Sequence, residues 1–138
     1  MRLWHEILLK YLDRQRLLAQ HRECCALRGK GWGMNHSTIN YVFQYERARL
    51  YVYHTVVMRE MEKRGYNVDS RWKSPAYCGQ GLEPRPELYQ DLYDYCDSLD
   101  KTNKVIYPEH NVEQYIADLR NLKAKGVDIS SYPGGDLI

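Results

Sequence analysis

Residues 13–29 read DRQRLLAQHRECCALRG. Asp13 is a natural helix cap, because its carboxylate can accept the free backbone N–H groups of a first turn, and Gly29 is a natural stop. The spacing predicts one helix between them. Inside it stands a single acidic residue, Glu23, with Arg14, Arg16, Arg22 and Arg28 around it. At 3.6 residues per turn, Leu12, Arg16, Ala19, Ala26 and Leu27 fall within about 60° of Glu23. The glutamate therefore lies on a partly apolar face with one cation nearby. Apolar surroundings raise a carboxyl pKa and an arginine lowers it. The sequence leaves both outcomes open, along with a solvated Glu23 paired to Arg16 or Lys30.

Outward from this helix the chain alternates between helical and irregular stretches. Residues 1–11 (MRLWHEILLKY) are a short, mostly apolar lead-in. Residues 29–37 (GKGWGMNHS) form a glycine-rich loop carrying Lys30, Trp32 and His36. Trp32 can stack on a base or wedge into a duplex, or tuck into the core. Residues 38–45 (TINYVFQY) fit strand or helix. A second helix is expected over 46–64, since Leu50, Tyr53, Val57 and Met61 recur at the spacing of one helical face. Lys63-Arg64-Gly65 ends it, with cations at the negative end of the helix dipole.

Residues 66–85 read as a long irregular connection. Its Arg71-Trp72-Lys73 suits either nucleic acid contact or a loop anchored by its Trp. A helix is expected over 86–99, acidic and tyrosine-rich, with Leu88, Leu92 and Leu99 inward. An amphipathic helix capped by Asn111 and stopped by Gly126 should bury Val112, Tyr115, Ile116, Leu119 and Leu122. Residues 127–138 are expected to lack regular structure. The fold class expected is mainly α: a compact single domain, residues 1–138, of about three to four main helices with long irregular loops.

Composition narrows the function. Four cysteines without a C-x-x-C pair and five scattered histidines argue for free thiols and against a zinc site of the usual spacing. No metal or cofactor is expected. With no long apolar run, no membrane contact is expected and the location expected is cytoplasmic. Net charge is +2, unevenly placed: residues 1–66 hold 12 Lys and Arg against 6 Asp and Glu, whereas residues 67–138 hold 8 against 12. A basic first half attracts a polyanion, or is a solvated surface. Residue chemistry alone reaches a nucleic-acid binder with one arginine-flanked glutamate.

Leu12 to Glu23, LDRQRLLAQHRE, resembles the first helix of the phage-type pyrimidine-dimer DNA glycosylases, also called the endonuclease V family. That helix carries Q-x-L-x-A-x-x-R-E near the amino terminus, and Gln15, Leu17, Ala19, Arg22 and Glu23 match it in place. Lys63-Arg64-Gly65-Tyr66 is similar to the family's Lys-Arg-Gly-Phe, and Tyr107-Pro108-Glu109-His110 is a looser match. The resemblance implies a metal-independent DNA glycosylase with abasic-site lyase activity, acting as a monomer on damaged double-stranded DNA. It implies that the terminal amine, here that of Met1, attacks the sugar as a Schiff-base nucleophile. It also implies that Glu23 stabilises charge at the sugar and moves protons. Arg2 and Arg22 would hold phosphates of a bent duplex, with Arg14, Arg28, Lys30 and Trp32 as further DNA contacts. The chain departs from the family where it begins Met-Arg rather than Thr-Arg, where Ala26 replaces an arginine, and where an aromatic, lysine-rich C-terminal segment is missing. A non-catalytic binding module of the same fold is the alternative.

Overall fold

The computed structural model describes residues 2–102 and 105–138, the side chains of residues 98–102 excepted. Its α-helices are α1 (Arg14–Arg28), α2 (Arg47–Lys63), α3 (Leu88–Thr102) and α4 (Val112–Ala124). Single 3-10 turns occupy Glu6–Lys10, Asn40–Gln44, Ser70–Lys73 and Gly135–Leu137. Among the described residues no strand forms, and no helix is long and apolar enough to cross a membrane. The mainly α expectation holds, and the ambiguous stretch 38–45 resolves as a 3-10 turn.

Local chemistry sets the helix limits. The Asp13 carboxylate accepts the Arg16 backbone N–H, and the Asn111 side chain accepts that of Gln114. Gly65, at φ +82°, lets the Tyr66 and Gly65 N–H groups turn back to Met61 and Glu62 carbonyls and close α2. Gly29 ends α1 for a different reason. Its φ is −103°, which any residue adopts, but a Cβ there would stand 2.6 Å from the Cys78 carbonyl oxygen. Glycine is needed for close approach rather than for a left-handed turn.

Helix α2 is the central element, packed against α1, α3 and the turn at Glu6–Lys10. It buries Leu50, Tyr53, Val57 and Met61, the four positions its periodicity singles out. Helix α1 turns Leu17, Cys24 and Leu27 onto the same core, and α4 adds Leu119 and Leu122. Burying each such leucine contributes roughly 2 kcal/mol. The expected α4 stripe begins later than its spacing suggests, since Val112 is 74% exposed while Leu119 and Leu122 are sealed. Leu88 is buried, Leu92 is half-buried, and the Leu99 side chain lies outside the described residues.

The C-terminal stretch is more ordered than expected. Ile129 and Tyr132 enter the core, the Tyr115 hydroxyl donates to the Pro133 carbonyl, and a 3-10 turn follows at Gly135–Leu137. Gly135 is pressed against the Ile129 carbonyl, where any Cβ would collide. Gly135→Ala should therefore lower stability by about 1–3 kcal/mol in urea unfolding, whereas Leu137→Ala, at an exposed site, should stay within about 0.5 kcal/mol.

Candidate active site

Helix α1 presents three faces. Leu17, Gln20, Cys24, Leu27 and Arg28 are buried. Arg16, Ala19, Gln20 and Glu23 line a polar cleft of about 650 Å³. His21 and Cys25, four residues apart, point to the far flank, where they meet His54 of α2.

The cleft is closed on one side by the chain's own lead-in, held by side chains that mimic a neighbouring backbone. Gln20 is 1% exposed. Its carbonyl accepts the Trp4 backbone N–H at 2.8 Å and its amide donates to the Arg2 carbonyl at 2.9 Å. The Tyr53 hydroxyl donates to the Trp4 carbonyl at 2.6 Å. Asp118 of α4, fully buried, accepts the His5 backbone N–H at 2.8 Å and the Arg2 guanidinium at 3.1 Å. Backbone polar groups of Arg2, Trp4 and His5 are thus answered from three helices, as a buried non-helical segment requires.

Glu23 takes its place in this network. One carboxylate oxygen accepts the Arg2 backbone N–H and the Gln20 amide, each at 3.2 Å. Burial pushes the Glu23 carboxyl above the ordinary glutamate range; the Arg2 amide, Gln20 and the Arg2 charge pull it back in part. Arg16 does not pair with it, because its guanidinium is taken by Asp13 at 3.1 Å. Lys125 and residues Asn35–Thr38 complete the lining.

The expected site residues distribute unevenly. Met1 lies outside the described residues. Arg2 lines the cleft, stacked over Trp4 at 5.0 Å. Arg14 and Arg22 are exposed on α1, away from the cleft lining, and Arg14 stacks on Tyr66. Lys30 is exposed; Trp32 is half-buried, edge-on to Phe43 and beneath the Arg47 guanidinium. Arg28 must be corrected. It is 3% exposed, and its guanidinium donates to the carbonyls of Trp72, Ser74 and Tyr77 and to His54 Nδ1. It fastens the 66–85 connection to α1, with the four N–H donors of its two Nη atoms spent inside the protein. The Arg71-Trp72-Lys73 cluster reads likewise as an anchor: Arg71 pairs with Asp69, Lys73 with Glu62, and Trp72 packs on Arg28.

Sequence reading missed Asp118 and Lys125. Both sit on or just beyond α4, more than a hundred residues from the lead-in they meet, and an isolated Asp or Lys on an amphipathic helix carries no signal.

His21, Cys25 and His54 bring their donor atoms within 4.8 Å of one another, close enough to frame a metal ion. The hydrogen bonds argue otherwise. Arg28 cannot accept, so it donates to His54 Nδ1, which fixes the proton of His54 on Nε2. That proton points at His21 Nδ1, 2.7 Å away. A metal at His54 Nε2 would have to displace it beside a buried cation. Burial, then Arg28, holds the His54 pKa at about 2, and burial pushes the Cys25 thiol up to about 12. The trio is a neutral hydrogen-bond chain. Added zinc should leave the thermal midpoint unchanged, and a rise lost in His54→Gln would refute this reading.

The raised Glu23 pKa fixes a sign. The folded state holds its proton to higher pH than the unfolded chain does. Its stability contribution is complete below about pH 4.5 and is lost as pH rises through the folded pKa. Glu23→Gln, which keeps the shape without the charge, should therefore melt progressively above wild type as pH rises from 4.5 towards 7. Parallel thermal melts across that range check it, and equal midpoints throughout would contradict it.

A family model described as pyrimidine dimer DNA glycosylase matches residues 1–74. No curated protein and no solved structure matches the chain.

Proposed function

This chain belongs to the pyrimidine dimer DNA glycosylase family, and from that premise we propose a repair glycosylase with abasic-site lyase activity that uses its own terminal amine. The observation that carries the reading is the hydrogen bond from the Arg2 backbone N–H to the Glu23 carboxylate. An α-amine is three covalent bonds from the second amide nitrogen of its chain, a path of about 4 Å. An amine so tethered works within reach of the carboxylate that holds that nitrogen.

The chemistry follows. An α-amine titrates near pH 8, so a useful fraction is neutral at physiological pH. The neutral Met1 amine attacks C1′ of the damaged nucleotide, its lone pair forms the C–N bond, and the base leaves with the glycosidic electron pair. Loss of the amine proton and ring opening give an imine. Removal of a proton from C2′ then expels the 3′ phosphate by β-elimination, and water releases the enzyme. Glu23 is the carrier of these protons and the counter-charge to the cationic sugar. A carboxyl raised by burial gives and takes a proton near neutral pH more readily than one at its ordinary value.

Arg2, Arg16 and Lys125 put positive charge on the cleft wall, and Arg14, Arg22 and Lys30 extend it over exposed surface. These are the phosphate contacts proposed for a bent, damaged duplex bound by a monomer. Trp32 belongs to this surface as the ring under Arg47 rather than as a free stacking face. Arg28 has no part in it.

Borohydride reduction on a duplex holding an abasic site or a pyrimidine dimer should trap a covalent adduct. Glu23→Gln should cut strand scission by at least about 100-fold, the usual scale of a lost acid–base group. Reductive methylation of the terminal amine, with lysines controlled by a Lys-modified but amine-free sample, should abolish trapping. Salt-sensitive DNA binding without any adduct would instead assign a binding module of the same fold.

A further inference from the structure

A second cleft, of about 420 Å³, lies beyond the end of α1; Lys30 and Trp32 of its lining belong to the surface proposed above, whereas Arg47 and Arg85 have no part in the chemistry at Glu23. Lys30, Arg47 and Arg85 line it against one carboxylate, Glu83, with Trp32 as a wall. The Arg47 guanidinium lies 5.1 Å from the Trp32 ring centre, and its Nη2 donates to the Arg28 and Gly29 carbonyls. Its Nε is buried and has no partner among the described residues. Among the described residues the Arg85 guanidinium pairs with Glu87, 3.7 Å away, with both side chains half or more exposed, a pair too loose and wet to neutralise it. Desolvation and then the Arg85 charge both disfavour the cation at Arg47. Three cations crowded at a half-buried hollow are a standing cost that an anion would relieve.

The loop after α1 ties this hollow to the Glu23 cleft. Gly29, Lys30 and Trp32 line the one, and Asn35 to Thr38 line the other. Trp32 and Asn35 are three residues apart, so their Cα atoms lie within about 11 Å, the axial rise of roughly three nucleotides of one strand. Arg85 lies beyond the residues 1–74 matched by the family model.

We infer that this cleft binds a backbone phosphate of the same DNA duplex, a second anchor a few nucleotides from the lesion. Arg47, its guanidinium stacked on Trp32 and its Nη2 and Nε turned inward, offers its charge and its Nη1 end, and Lys30 and Arg85 close over the anion. The inference rests on the glycosylase reading for its choice of DNA over a free anion.

The test is fluorescence anisotropy of an undamaged duplex over a range of salt, with Lys30→Ala, Arg85→Ala and the double variant beside wild type. Both side chains are exposed, and thermal melts confirm the fold of each variant. Each substitution should weaken binding equally on unrelated sequences, and the double variant, which gives up the one phosphate, should reduce the slope of log K against log salt by about one. Arg47→Lys, which keeps the charge and loses the guanidinium plane stacked on Trp32, should weaken binding several-fold with the slope retained. An unchanged slope in the double variant overturns the inference. Inorganic phosphate at constant ionic strength is the second arm. If it raises the wild-type midpoint, the double variant abolishes that rise and the DNA slope stays unchanged, the site takes small anions and the DNA assignment is wrong. Binding by Glu23→Gln should keep the wild-type slope, so absent borohydride trapping with a slope that still falls in the double variant sinks the catalytic reading alone. A wild-type chain that fails to bind duplex at low salt sinks both.

Discussion

The Gln20 side chain holds the site together. Its amide presents one acceptor and two donors in a plane, the same groups a neighbouring backbone would offer. It spends them on the Trp4 N–H, the Arg2 carbonyl and the Glu23 carboxylate. The lead-in has no sheet or helix of its own over residues 2–5. Without Gln20 its polar groups would be buried without partners, each at a cost of about 1–3 kcal/mol. Tyr53 from α2 and Asp118 from α4 finish the same task. Three helices therefore agree on where the second residue of the chain stands.

That agreement explains the state of Glu23. A surface glutamate on an arginine-rich helix would be solvated and ordinary. Here the lead-in folds back over it, removes water from one side, and supplies a single backbone N–H in exchange. Desolvation outweighs the hydrogen bonds, and the carboxyl is pushed up. The same packing that holds residues 2–5 thus tunes the group proposed to act beside them. Asp118 is pushed up by burial as well, and Arg2 moderates it at 3.1 Å.

Arginine is put to two opposed uses in this molecule. Arg28 is a buried bracket, its donors satisfied by three carbonyls and a histidine, so that α1, α2 and the 66–85 connection share one hub. Arg14 and Arg22 stay in solvent, and Arg2, Arg16 and Arg47 stand at cleft walls. The charge count of the first half cannot separate these uses, because a guanidinium reads the same in sequence whether it faces carbonyls or phosphates.

The capping of α1 by Asp13, the buried face of α2 and the α4 cap at Asn111 were legible in sequence, because caps and helical periodicity are local. The α1 motif with Glu23 was legible as well, since spacing along one helix is a local property. The docked tail was not, because Ile129 and Tyr132 gain their burial from partners far away in the chain. Nor was the fate of Arg28, the role of Gly29 against the Cys78 carbonyl, or the arrival of Asp118 and Lys125 at the lead-in. Sequence by itself determined the helices and which of them carries the glutamate. Only the tertiary structure decided which cations remain free and which water the glutamate loses, since desolvation and hydrogen-bond satisfaction depend on groups brought together across the chain.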